Sequence, residues 1–266
     1  MPREITAFSN PLIKRVRGLR DKRHRREERL FLAEGLRILA EAEEAGTLPD
    51  MLFFAADSAQ HPIVRRLTTK VEAQGGEAIE TSRDILHKLS GKDNPQVVLG
   101  VYRQFDTSLT RIDRNTSGIW LVAQAMRDPG NLGTMLRTGD AVGAGGLILI
   151  DDTVDPFSVE AVRASMGAMF TQAIAQATWD EFLPWLRSGD GQLVGLSLET
   201  SEDYRRPTYR APTFLLVGNE AQGLPADYAA ACDVRVKIPM LGKADSLNAA
   251  ISCAVMAYQV LGQRID

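Results

Sequence analysis

Val217-Gly-Asn-Glu-Ala-Gln-Gly223 must be read with two partner stretches. Asp128-Pro-Gly-Asn-Leu-Gly-Thr-Met-Leu-Arg137 lies upstream, and Ile238-Pro-Met-Leu-Gly-Lys-Ala-Asp-Ser-Leu-Asn248 lies downstream. In each, polar or flexible residues join an apolar, strand-like run to a helix-like run. Glycine admits backbone approaches that a side chain forbids. A helix start exposes unpaired N–H groups that attract anions and polar ligand atoms. Three such junctions imply one ligand site at the ends of parallel strands in an open α/β sheet.

Working outward, Ile119–Ala123, Gly146–Ile150, Leu193–Leu198, Phe214–Val217 and Val234–Ile238 are apolar runs separated by helical segments. That alternation predicts a mostly parallel sheet covered on both faces. Ser246 to Leu261 reads as a closing helix, capped by Asp245 or Ser246, with Leu247, Ala250, Ile251, Ala254, Val255, Tyr258 and Leu261 on one stripe. The stripe packs either within the monomer or against a second subunit; spacing does not separate the two.

Ahead of this half, Ser9-Asn10-Pro11 starts a helix, Arg29–Glu34, Met51–Ala55 and Gln96–Tyr102 read as strands, and Gly35–Ala45 and Pro62–Ala73 as helices. Residues 1–105 therefore form a smaller α/β domain and 106–117 a polar linker. Residues 118–266 form the larger α/β domain. The net charge of −3 hides an asymmetry: residues 1–37 carry eleven Lys/Arg against five acids, +6 there and −9 in the remainder. A basic arm on an acidic body is a polyanion contact or a solvated helix face. Its candidate polyanion contacts are Lys14, Arg15, Arg23, Arg25, Arg26 and Arg37.

Composition excludes several classes. No run of about 18 apolar residues exists to span a bilayer, and the charged N-terminus lacks a signal core, which points to the cytoplasm. Two cysteines and three scattered histidines make neither a disulfide framework nor a metal site, so no metal is expected. Gly143-Ala-Gly-Gly146 precedes a strand and does not match the dinucleotide fingerprint, and Gly242-Lys243-Ala244 does not complete a phosphate loop. At the junctions, Arg137 holds a phosphate or alkoxide or is a surface ion-pair partner. Glu220 accepts a ligand hydroxyl, organises loops or caps the next helix, and Ser246 and Asn248 bind or cap. Residue chemistry alone reaches an α/β ligand-binding domain.

The three stretches, in this order and spacing, resemble the three motifs of the SpoU (TrmH-like) RNA 2'-O-ribose methyltransferases of the SPOUT superfamily. They are Asp128-Pro129 with Asn131, Gly133 and Arg137, then Gly218, Glu220 and Gly223, then Ile238-Pro239-Met240 with Gly242 and Ser246-Leu247-Asn248. Phe31-Leu-Ala-Glu34-Gly35 is similar to the family's accessory RNA-binding domain, itself like ribosomal protein L30e. The resemblance implies a trefoil-knot α/β domain that binds S-adenosylmethionine and works as a homodimer. It implies a catalytic set of Arg137, Asn131, Glu220, Ser246 and Asn248, with Gly218, Ile238, Leu241 and Leu247 around the cofactor. It further implies an RNA substrate, ribosomal RNA (guanosine in the large subunit) ahead of transfer RNA. A noncatalytic RNA-binding protein that kept the fold and a nucleotide-dependent oxidoreductase are the competing readings; the missing phosphate-loop glycines weigh against the latter.

Overall fold

The computed structural model describes residues 2–91 and 96–265. The chain forms two compact units, residues 1–105 with 155–171, and residues 106–154 with 172–266, so it passes between them three times.

In the first unit, β1 (Arg3–Ile5), α1 (Pro11–Gly18), α2 (Lys22–Glu28), β2 (Leu30–Glu34), α3 (Leu36–Glu44), β3 (Met51–Ala55), α4 (Pro62–Ala73), β4 (Glu77–Thr81), α5 (Arg83–Ser90) and β5 (Val98–Arg103) follow in order. The sheet order is β1-β4-β3-β5-β2. β1, β4 and β3 are parallel, whereas β5 runs antiparallel to both β3 and β2. Asn10 caps α1 by accepting the Leu12 N–H at 2.9 Å, with Pro11 at the first helical position, where its missing N–H is not needed. β3 is an unbroken apolar run buried along its whole length, as a central strand covered on both faces requires. One core gathers Ile13, Val16, Leu19, Phe53, Ile79, Leu86 and Leu89.

Residues 155–171 belong to this unit because their apolar groups complete it. Phe157 and Phe170 stand 5.2 and 6.1 Å from the Phe31 ring, and Phe170 lies 5.0 Å from Tyr102. Burial raises the Tyr102 hydroxyl well above its ordinary range. Polar contacts fix the same join. Arg25 is buried and donates through Nε and Nη2 to Asp155 Oδ2 at 3.0 and 2.7 Å, and through Nη1 to the Leu19 and Arg20 carbonyls. The expectation that Arg25 contacts RNA is corrected: every face of its guanidinium is spent inside the unit.

From residue 106 the second unit begins. Residues 106–117, read from composition as a linker, carry two 3-10 turns, and Thr107 accepts the Gln176 N–H at 2.7 Å. The elements then run β6 (Ile119–Gln124), α6 (Pro129–Ala141), β7 (Gly146–Ile150), α7 (Val159–Ser165, within the first unit), β8 (Ala173–Ala177), α8 (Trp179–Arg187), β9 (Gln192–Leu196), β10 (Thr213–Val217), α9 (Ala226–Ala231), β11 (Val234–Val236) and α10 (Ala249–Gly262). The six strands pair in parallel in the order β11-β9-β10-β6-β7-β8. This is the α/β fold with a parallel sheet that the resemblance implies. Trp120, Ile148, Phe182, Leu193 and Phe214 fill its core. After edge strand β11 the chain returns to the sheet centre, where α10 lies against α6, β6 and β10. Its cap is Asn248 rather than Asp245 or Ser246: Asn248 Oδ1 accepts the Ala250 and Ile251 N–H groups at 2.9 and 3.2 Å.

Removing one partner of the enclosed Arg25–Asp155 pair strands the other without water or counter-charge. Arg25→Ala and Asp155→Ala should each lower stability by about 3–5 kcal/mol, and the double substitution by less than their sum, read by urea denaturation. Near-additive losses would show that the two side chains do not depend on each other.

Candidate active site

β6 and β10 are neighbours at the middle of the sheet, and the first two junctions leave their carboxyl ends. Asp128 caps α6 by accepting the Gly130 N–H at 2.6 Å, which places Asn131, buried, on its first turn. The loop after β10 is tied to β6 by Asn219, whose Nδ2 donates to the Ala125 carbonyl at 2.8 Å while its Oδ1 accepts from the Ala221 and Gln222 amides. The turn closes so tightly that a Cβ on Gly218 would overlap the Gly223 and Leu224 backbone. Only glycine fits there.

A side-chain relay joins all three junctions. Asn248 Nδ2 donates to Asn131 Oδ1 at 2.8 Å, and Asn131 Nδ2 donates to Glu220 Oε1 at 3.0 Å. Glu220 also faces the Arg127 and Asp128 amides at 3.4 and 3.5 Å. Asn248 has both amide ends engaged, one on the relay and one on its own helix. A neighbouring latch holds the ends of β6 and β7. Asp151 accepts from Gln124 Nε2, the Tyr228 hydroxyl and the Trp179 amide, and the Tyr228 ring stacks on Trp179 at 3.8 Å. Burial, with help from Asp151, raises the Tyr228 hydroxyl above its ordinary range. Burial likewise pushes the Cys232 and Cys253 thiols up to about 12, so neither offers a thiolate nucleophile near neutral pH.

Over the relay lies a cleft of about 470 Å³ between the end of β9, the Gly218–Leu224 turn, the segment after β11 and the start of α10. Of the residues expected to act, Gly218, Glu220, Ile238, Ser246, Leu247 and Asn248 line it. Asn131 supports it from below through the relay. Two do not line it. Leu241 is fully exposed on the irregular segment after β11, where no strand or helix turns its side chain inward. Arg137 is exposed further along α6, with no ion pair among the described residues. Sequence reasoning missed Leu196, Ser197, Leu198 and Glu199, although the strand-end rule marks any residue just beyond β9. Glu199 brings a carboxylate with no partner among the described residues.

In the first unit, three of the basic residues expected to meet RNA are paired to acids: Arg15 to Glu28, Arg23 to Glu27 and Arg37 to Glu41. Lys14 and Arg26 are exposed without such partners among the described residues. Among the described residues no cluster of His, Cys, Asp and Glu could hold a metal ion, and no helix is long and apolar enough to cross a membrane.

A cleft at parallel strand ends, knitted by two amides and a carboxylate, can hold a small polar ligand in one orientation. Comparison with known proteins agrees with that geometry. Residues 118–258 match the SpoU rRNA Methylase family, and residues 10–100 match the MRM3-like substrate binding domain. An AdoMet-bound rRNA methyltransferase from Sinorhizobium meliloti is 38% identical with a TM-score of 0.92, each chain covered to 99%. The 23S rRNA (uridine(2479)-2'-O)-methyltransferase of Streptomyces viridochromogenes is 32% identical over 94% of this chain and 88% of its own. The 23S rRNA (guanosine(2553)-2'-O)-methyltransferase RlmP of Bacillus subtilis (strain 168) is 27% identical over 98% of this chain and 100% of its own. The family match spans more than half of the chain and takes in the relay, the glycine-closed turn and the sheet beneath them: the chain belongs to the SpoU rRNA methylase family.

Proposed function

We propose that this chain methylates the 2'-hydroxyl of one ribose in 23S ribosomal RNA with S-adenosylmethionine as donor, acting in the cytoplasm as a homodimer. Guanosine is the favoured nucleotide, on likeness to RlmP over nearly the whole chain. The observation that carries the reading is the relay of Asn248, Asn131 and Glu220 beneath one cleft.

The residues present fit the donor. A cleft of about 470 Å³ lies in the range that encloses small ligands. Its mix of apolar side chains (Ile238, Leu247) with backbone polar groups of the Gly218 turn suits an adenine ring, and the Gly218 contact leaves no room for a side chain in that wall. Bound S-adenosylmethionine supplies a methyl group already activated by its positive sulfur. The protein's share is therefore alignment, worth about 7–11 kcal/mol of barrier when two reactants are held in line. Asn131, Glu220 and Asn248 fix the loops that set the alignment, while Ser246 presents a hydroxyl to the cleft.

Arg137 is assigned to the RNA. A guanidinium offers several donors in a rigid fork, which suits it to orient a phosphate and stabilise the 2'-oxygen as negative charge develops. Because it stands outside the cleft of its own chain, a second copy would have to bring it to the site. α10 supports that reading: it is apolar nearly all round, with Ala250, Cys253, Met256 and Val260 buried, yet Ile251 and Tyr258 are 51% and 55% exposed on its other side. A helix with no polar face is ordinarily covered on every side.

Three measurements follow. Arg137→Ala should cut methyl transfer to RNA from a deletion strain by about 10²–10³-fold while calorimetric S-adenosylmethionine binding stays near wild type; full transfer would remove the assigned role. Ile251→Asp should turn a sedimenting dimer into monomer and abolish transfer; an active monomer would sink the shared site. Asn131→Leu should cost about 1–3 kcal/mol of stability and weaken donor binding, whereas unchanged binding would mean the relay does not shape the cleft.

A further inference from the structure

The first unit carries a concavity of about 980 Å³ between the corner joining α1 to α2 and helix α5, and methyl transfer leaves it unused. Three cations line it with no carboxylate partner among the described residues: Arg17, Arg20 and Lys88. They differ from Arg15 on α1 and Arg23 on α2, which acids neutralise. A side chain at Gly91 would collide with the Arg20 guanidinium, so this glycine, in the left-handed conformation that ends α5, lets Arg20 lie against the helix end. At that end the helix dipole favours a cation.

Beside the cations stands Phe8, a large ring left 45% exposed, with Lys88 Nζ 4.8 Å from its centroid. An exposed aromatic flanked by unpaired cations can stack a base of any identity while the cations take the adjoining phosphates. Two acids border the concavity. Asp21 is committed to capping α2, accepting the Arg23 and His24 amides at 2.8 and 3.4 Å, whereas Asp84 lies in the first turn of α5. Among the described residues, three cations without a carboxylate partner thus face one uncommitted carboxylate. A duplex buries its base faces in stacking, so the ring selects an unpaired nucleotide.

We propose that this concavity is a single-stranded RNA subsite, seating one unpaired base on Phe8 and its flanking phosphates on Arg17, Arg20 and Lys88. The proposal rests on the RNA-substrate reading above and moves the RNA contact away from the paired helix arginines. The probe is a short fluorescein-labelled oligouridine titrated with the full chain and followed by anisotropy across a salt series. Phe8→Ala should weaken binding by about tenfold with the salt slope unchanged, and Phe8→Tyr should restore it. Arg17→Ala with Arg20→Ala should flatten the slope of log affinity against log salt by about 1.4, at roughly 0.7 per phosphate. Arg15→Ala with Arg23→Ala should alter neither. Wild-type affinity in Phe8→Ala, or a slope that falls only with the paired arginines, would overturn the subsite. Displacement by oligoglutamate irrespective of Phe8 would also overturn it and identify a surface for an acidic protein. S-adenosylmethionine affinity, measured in parallel, should not move in any variant. If the wild type transfers no methyl to total RNA while the Phe8 dependence persists, the transfer reading fails and the subsite stands.

Discussion

Two amides and a carboxylate carry the architecture of the second unit. Asn131, Glu220 and Asn248 come from parts of the chain separated by about ninety and thirty positions, yet each hydrogen bond between them is short and partly buried. Asn131 is buried, and a buried polar group left unpaired costs more than a satisfied bond contributes, so its two bonds tie the Glu220 and Asn248 segments to the first turn of α6. Each side chain also serves its own segment. Asn248 caps α10, and Glu220 faces the amides at the start of the first junction. Local helix starts and the global meeting of strand ends are therefore set by the same atoms.

Parallel pairing explains why such a meeting is possible. Strands β9, β10 and β6 run side by side in the same direction, so all their carboxyl ends reach one edge of the sheet. Antiparallel neighbours would have sent alternate junctions to opposite edges. The close turn at Gly218 then brings the loop back upon itself at the distance where a glycine alone is tolerated. The cleft follows from topology first and side chains second, which is why it forms over the relay and not beside it.

Much of this was legible from residue pattern, and the exceptions have physical causes. Met51–Ala55 and Pro62–Ala73 match β3 and α4 end to end, because a dense apolar run and a proline-led amphipathic segment are unambiguous. The central runs at Ile119, Gly146 and Phe214 were equally clear. β1 and β8 were missed: one is three residues long, and the other, Ala173-Ile-Ala-Gln-Ala177, has too little side-chain mass to read as a strand. β4 mixes Glu77 and Glu80 into its run. Leu241 looked apolar enough for a pocket, yet nothing in a loop sequence dictates which way a side chain faces. Arg25 is the sharpest case. Among a dozen neighbouring basic and acidic residues its code is ordinary, and only Asp155, 130 positions away, makes it structural. A threaded terminal segment was suggested by resemblance alone, since general chain-packing rules argue against it.

The proposed division of labour between the two units follows from the chemistry of the hydroxyl itself. Every ribonucleotide offers the same 2'-oxygen, so a cleft that aligns a methyl donor with ribose has no means of choosing a base by that contact. The relatives fit this logic: proteins of similar length and similar likeness to this chain modify a guanosine in one case and a uridine in another. Choice of nucleotide must then come from surfaces that read RNA shape and unpaired bases, where RNA displays its identity. In the first unit, the formal excess of Lys and Arg is a poor guide to such a surface, because Arg15, Arg23, Arg25 and Arg37 are consumed by acids. Among the described residues, the cations without acidic partners that share a concavity with an exposed ring are the ones the proposed subsite draws on.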